Sequence, residues 1–331
     1  MAVNSRHPFA ERKQARGTLT MWQYFRHIQG VSRTTFVPRR RYSVTSDILS
    51  YRRCAHQYSF EVEHGYEPSR TSQLFYGTIV HQVLDRAHAH FAGLLDPLTR
   101  GTLPLDEDIE RYFSQVQASL RARGIRGARV AVEEQALRLI KVFNRVEGPT
   151  LYPRVVDTEH RMQSDEGDFI LHGTVDVLTA PNDTDRGFNS LDIWDYKGVK
   201  RPGINDPCLQ DFEFQMLVYA SLYFRRHGVF PRVANLYFLN ELVDEHRPMN
   251  ERRQRALLQV TIDQARVQVA VDAFKGTVRI IEDARLHQNW PAPLVGQGPG
   301  EDTCVACDRR WNCTTVCNDP SLAARMQIRY P

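Results

Sequence analysis

Apolar and β-branched residues crowd Ile170–Leu178 and again Leu191–Tyr196, while the interval Pro181–Gly187 is dense in Pro, Asn, Asp and Gly. Such runs predict strands and such an interval predicts a turn, so the pair reads as a long antiparallel hairpin. Glu159–Gln163 opens an earlier strand, and Val233–Leu239 supplies one more to complete a sheet. Elsewhere the period lengthens to that of a helix. Val80, Leu84, Ala87 and Phe91 make one apolar stripe over Gly77–Phe91, with His81, Asp85 and His88 beside it. Further helices are predicted over Ile48–Phe60, behind the capping residues Thr45, Ser46 and Asp47, and over Asp211–His227. A capping-box pattern at Thr261–Gln264 opens another that runs to about Gln288 and ends before Trp290-Pro291-Ala292-Pro293. Two more, Asp106–Arg123 and Val130–Glu147, form a helical insertion at about residues 95–150. No internal repeat or long low-complexity linker interrupts this order.

The hairpin carries chemistry. Asp176 lies on its first strand, and Asp195 and Lys197 lie on its second. Side chains two apart on a strand share a face, so Asp195 and Lys197 point the same way. Two carboxylates and an ammonium on one surface suit metal-assisted phosphodiester hydrolysis: the acids hold Mg²⁺ and the cation offsets charge in the transition state. Held beside two carboxylates, Lys197 suits orienting metal-activated water better than taking a proton from it. Gln215 and Tyr219 are four apart and share one helical face.

At 331 residues and 42% hydrophobic, the chain can bury a substantial core. It has no apolar run of about eighteen residues, so no membrane span is expected. Met1–Arg16 lacks the apolar stretch of a secretory signal, and a cytoplasmic location is expected. Net charge is +4 but unevenly placed. Residues 1–42 hold nine Lys or Arg against the single acid Glu11, which leaves the rest net acidic. Such an arm suits phosphate contact, although a solvated tail would look the same. Trp22–Ile28 interrupts it with apolar residues that predict a short docked helix. Of six cysteines, four fall between Cys304 and Cys317. That spacing reads as metal ligation rather than a secreted disulfide framework. Cys208 reads as a plain buried or partly buried thiol. No G-x-x-x-x-G-K-[ST] loop for ATP is present.

Six motifs occur in the order expected of RecB-like nucleases of the PD-(D/E)XK superfamily. The segment Ser46 to Tyr58, with Tyr51 and Cys54 inside it, resembles that group's S-x-L-x-x-Y-x-x-C-P-x-x-Y helix. Gly77 to His81 resembles its G-x-x-x-H motif. Gly173 to Asp176 and Asp195 to Lys197 resemble its central acids and lysine, and Gln215 to Tyr219 its Q-x-x-x-Y helix. Cys304, Cys307 and Cys313 resemble its C-terminal cysteine cluster. The resemblance runs from about Ser43 to Cys317. It departs from the family pattern at Ala55, where proline is usual, at Asp195, where glutamate is commoner, and at Cys317, a surplus cysteine that leaves the fourth cluster ligand ambiguous.

The resemblance implies an α/β fold: a restriction-endonuclease-like core with a mixed central sheet flanked by helices, and a C-terminal region stapled by iron and sulfur. It divides the chain into a basic arm (1–42), a nuclease domain (43–317) and a tail (318–331). It implies a Mg²⁺ or Mn²⁺ site at His81, Asp176, Asp195 and the carbonyl of Tyr196, with Lys197, Gln215 and Tyr219 completing the catalytic group. Imidazole suits Mn²⁺ better than Mg²⁺. Cys54, Cys304, Cys307 and Cys313 would carry a 4Fe–4S cluster, a role for which zinc is the alternative on spacing alone. The expected substrate is DNA, as single strands or ends, with unwinding left to a separate helicase. A catalytically silent DNA-binding or scaffolding subunit of a helicase–nuclease complex is the alternative function.

Overall fold

The computed structural model describes residues 39–66, 72–127, 129–181, 187, 191–293, 303–304, 307–310 and 313–317. The basic arm as far as residue 38, the tail 318–331 and the side chain of Cys317 lie outside them. Six strands make one mixed sheet: β1 (Arg40–Ser43), β2 (Val155–Asp165), β3 (Phe169–Thr179), β4 (Asp192–Lys197), β5 (Ala234–Phe238) and β6 (Leu257–Val260). β2 and β3 pair antiparallel along nearly their whole length, from Val155 opposite Thr179 to Asp165 opposite Ile170. β4 meets β3 antiparallel at Val177–Thr179 only, which makes the predicted hairpin real but short in its ladder. β5 then lies parallel to β4 and antiparallel to β6. A parallel neighbour needs a crossover, and α4 (Pro207–His227) provides it between β4 and β5.

Helices cover both faces, so β4 and β5 are buried almost throughout. On one face α4 and α6 (Gln264–His287) pack over Val175, Leu178, Ile193, Leu236 and Phe238. On the other α1 (Ser72–Phe91), α2 (Asp106–Ala122) and α3 (Val130–Val146) pack over Val177, Trp194, Tyr196 and Tyr237. The insertion helices α2 and α3 match their predicted spans, because each carries an apolar stripe that α1 buries. A short helix α5 (Met249–Ala256) and β6 were not read from the sequence.

Three expectations need correction. The helix Ile48–Phe60 is broken rather than continuous. A π-helical turn (Val44–Leu49) and a single α-turn (Ser50–Arg53) stop at Cys54, whose backbone is extended at φ −162° and ψ 104°. Cys54 then caps the next turn (Ala55–Tyr58), its sulfur accepting from the Gln57 N–H. Capping of the first turn falls to Ser43, which accepts from the Ser46 N–H. Likewise Asp263, not Thr261, caps α6, by accepting from the Arg266 N–H. No described helix is long and apolar enough to cross a membrane.

Candidate active site

The site forms where β3 and β4 part. Their ladder ends at Val177 opposite Trp194. Beyond that point the Tyr196 N–H donates to the carboxylate of Asp176 (Oδ2, 2.6 Å) rather than to a strand carbonyl. The divergence opens a cleft lined by His81, Asp176, Asp195, Lys197, Gln215 and Tyr219, among others. Every catalytic or metal-binding residue expected from the sequence, outside the cysteines, lines it, Tyr196 included.

The two faces of the sheet contribute different groups. From α1, His81 Nδ1 lies 3.2 Å from Asp176 Oδ1. From α4, Gln215 Nε2 donates to Asp195 Oδ1 (3.0 Å) and to the Tyr219 hydroxyl (2.9 Å), while its Oε1 accepts from Lys197 Nζ (2.6 Å). Lys197 Nζ also lies 2.7 Å from Asp195 Oδ2 as an ion pair. That oxygen is buried and faces the Lys197 ammonium. The Lys197 ammonium sits in addition 4.6 Å from the centroid of the Phe212 ring. Gln215 is therefore a hub that fixes the lysine, the second acid and the tyrosine in one arrangement.

The electrostatics separate the two acids. Burial pushes Asp195 upward, and the neighbouring Asp176 charge adds to this against the pull of Lys197. Asp176 feels the same burial, yet the His81 imidazolium and the Tyr196 N–H hold it below the usual carboxylate range. For His81, burial favours the neutral ring, but the charge and hydrogen bond of Asp176 outweigh it and push the group up to about 9. An ordinary salt-bridged surface would not build this pattern. His88, expected beside His81 on the flank of the same helix, is instead buried under Tyr152 and Tyr196, and burial pushes it down to about 3.

One acid was missed. Glu159 sits on β2 with Asp176 across from it, between the pairs Thr158–Val177 and His160–Val175. His81, Glu159 and Asp176 each place one ligand atom within 4.8 Å of the others, the only such trio of possible metal donors among the described residues. No motif announced it, because a lone Glu in a strand matches solvent exposure as well as ligation.

The donor set fits a hard divalent cation. Carboxylate oxygens with one imidazole are what Mn²⁺ or Mg²⁺ takes, and Asp176, Asp195 and His81 bring such atoms to one cleft.

The cysteines converge as well. Trp290, just past α6, packs on Tyr51 and Tyr58, and its carbonyl meets His56 Nδ1 at 3.2 Å. This docks the chain end against the broken helix. Cys54, Cys304, Cys307 and Cys313 then line one small pocket. Burial raises the thiols of Cys54, Cys304 and Cys307. Cys208 is exposed at the start of α4, because Pro207 and Cys208 belong to its outward first turn, which corrects the expectation of a buried thiol.

Residues 42–314 match the PD-(D/E)XK nuclease superfamily. Among solved structures, a candidate exonuclease from Eubacterium rectale is similar at 13% identity, covering 81% of this chain and 88% of its own, with a TM-score of 0.44. The protein SSO0001 is similar at 12% identity, covering 89% of this chain and 96% of its own, with a TM-score of 0.35. No curated protein matches.

Proposed function

The chain belongs to the PD-(D/E)XK nuclease superfamily, and from that premise we propose that it is a divalent-cation-dependent deoxyribonuclease acting on single strands or DNA ends. The observation that carries this reading is the convergence of Asp176, Asp195, His81 and Lys197 on one cleft, with the Lys197 ammonium 2.7 Å from Asp195 Oδ2. A cation held at these oxygens and the Tyr196 carbonyl would supply Lewis acidity to the phosphodiester and to water.

The chain's own residues do the rest. Asp176 and Asp195 hold the cation. Lys197 sets a positive charge beside them, where it orients water and offsets the charge that develops on phosphate. Gln215 keeps Lys197 from swinging out, and Tyr219 fixes Gln215 in turn. Cys54, Cys304, Cys307 and Cys313 carry a 4Fe–4S cluster in this reading. The cluster's role is structural, clamping the broken helix to the chain end.

The basic residues 1–42 extend the DNA contact, the nuclease domain spans 43–317 and a separate helicase unwinds the duplex. The protein acts in the cytoplasm, in repair, recombination or phage defence. Degradation of end-labelled single-stranded DNA with Mn²⁺, wild type beside Asp195→Ala, tests the reading. Activity confined to the wild type supports it; two proteins equally inert across metals and ends leave a scaffolding subunit instead.

A further inference from the structure

The strand that carries Lys197 leaves the cleft through the segment 198–206, and that loop is braced along its length. The Gly198 carbonyl accepts from Asn240 Nδ2 (2.8 Å), which the Tyr76 hydroxyl holds in turn. The Arg201 N–H donates to the carboxylate of Glu241 (3.0 Å), a buried acid that Arg255 pairs. The Asp206 N–H closes a tight turn on the Gly203 carbonyl (2.9 Å). Inside that turn, where polar residues are customary, stands Ile204, 85% exposed. Val199 is 45% exposed and lines the cleft together with Asp195 and Lys197. Neither side chain joins a hydrophobic cluster of the described chain. Positive charge falls in the same loop. The Arg201 guanidinium makes no ion pair among the described residues. Lys200, mostly exposed, reaches Asp244 at 3.3 Å, and a solvated pair of this kind contributes little.

We propose that the 198–206 loop receives the bases of the substrate strand: Val199 and Ile204 lie against base faces, and Arg201 and Lys200 meet the neighbouring phosphates. This rests on the nuclease reading above and concerns what part of the strand is recognised. The loop begins at the last catalytic residue of β4, so a strand whose phosphate sits at Lys197 passes over it. A nucleobase offers a flat apolar face whatever its identity, so aliphatic contact grips a strand without reading its sequence. Base faces are open to such contact only where the bases are unstacked and unpaired. The loop therefore favours single strands and frayed ends over closed duplex.

The test times the full, cluster-containing protein with Mn²⁺ along two end-labelled single strands, one complete and one with a central tract of abasic tetrahydrofuran residues. The wild type is expected to slow about fivefold in the tract, which is what withdrawing one aliphatic side chain from apolar contact allows. Ile204→Ser is expected to be about fivefold slow on the complete strand and to slow no further in the tract. Its thermal midpoint should not change, because the side chain is exposed. Arg201→Gln is expected to lower the slope of log affinity against log salt by about 0.7, read without metal so that no cleavage runs. Ile204→Ser as fast as the wild type on the complete strand, or a tract that affects both proteins alike, overturns base recognition by this loop while the nuclease reading stands. An unchanged salt slope overturns the phosphate contact of Arg201. A wild type that degrades neither strand overturns the nuclease reading, and this inference with it.

Discussion

Gly173 lies flush against the ring of Tyr219: a methyl group at its Cα would come within 2.6 Å of Tyr219 Cε1 and 3.2 Å of Leu222 Cδ1. The glycine of the Gly173–Asp176 segment is thus a packing requirement, set by a tyrosine on another element. Tyr219 cannot retreat freely, because it is buried and its hydroxyl accepts from Gln215. Gly173→Ala is expected to cost about 1–3 kcal/mol, read as a lower denaturation midpoint. It should also slow DNA degradation, since moving Tyr219 moves Gln215. Full activity in this variant would detach the ring from the site.

Lys197 compensates a buried acid. Lys197→Met leaves the Asp195 charge unpaired, which typically costs about 3–5 kcal/mol. Added Mn²⁺ should therefore raise the melting temperature of Lys197→Met more than that of the wild type, because the cation replaces the lost charge. Its nuclease rate should remain at least about a hundredfold down even with saturating metal. Equal metal-induced shifts in the two proteins would contradict this.

Gln215 and Tyr219 separate by substitution. Gln215→Leu removes the acceptor of Lys197 and the donor to Asp195 together. Tyr219→Phe removes one hydroxyl and keeps the ring on Gly173. The first change should lower the rate by at least about tenfold, the second by no more than the few-fold that one neutral hydrogen bond of about 1 kcal/mol allows. Comparable losses would mean that the tyrosine hydroxyl acts on substrate directly.

The cysteines divide into a set and an outlier. Cys54→Ser should abolish visible absorbance in anaerobically purified protein and expose both the Ser50–Tyr58 segment and the C-terminal region to protease. Cys208→Ser, at an exposed position outside the cysteine pocket, should change neither. Colourless wild-type protein with stoichiometric zinc would replace the cluster with the simpler metal.

Much of this was legible beforehand where local pattern and tertiary demand coincide. The insertion helices could be read because their apolar stripes have one period and one burial face. Asp195 and Lys197 could be paired because a strand alternates. The break at Cys54 could not, since nothing in Arg53-Cys54-Ala55 disfavours a helix; it falls between Tyr51 and Tyr58, on which Trp290 packs from far along the chain. β6 escaped notice as a four-residue edge strand, half exposed. Glu159 was invisible for another reason. Its meaning depends on which residue of β3 stands opposite, and a sequence does not state its register.

The parting of β3 from β4 sets a ceiling on how regular this protein can become. The amide of Tyr196 has two suitors, the neighbouring strand and the Asp176 side chain, and can satisfy only one. Substitutions that zip the hairpin one rung further would strengthen the sheet and erase the cleft. A more ideal hairpin would here be a blunter tool.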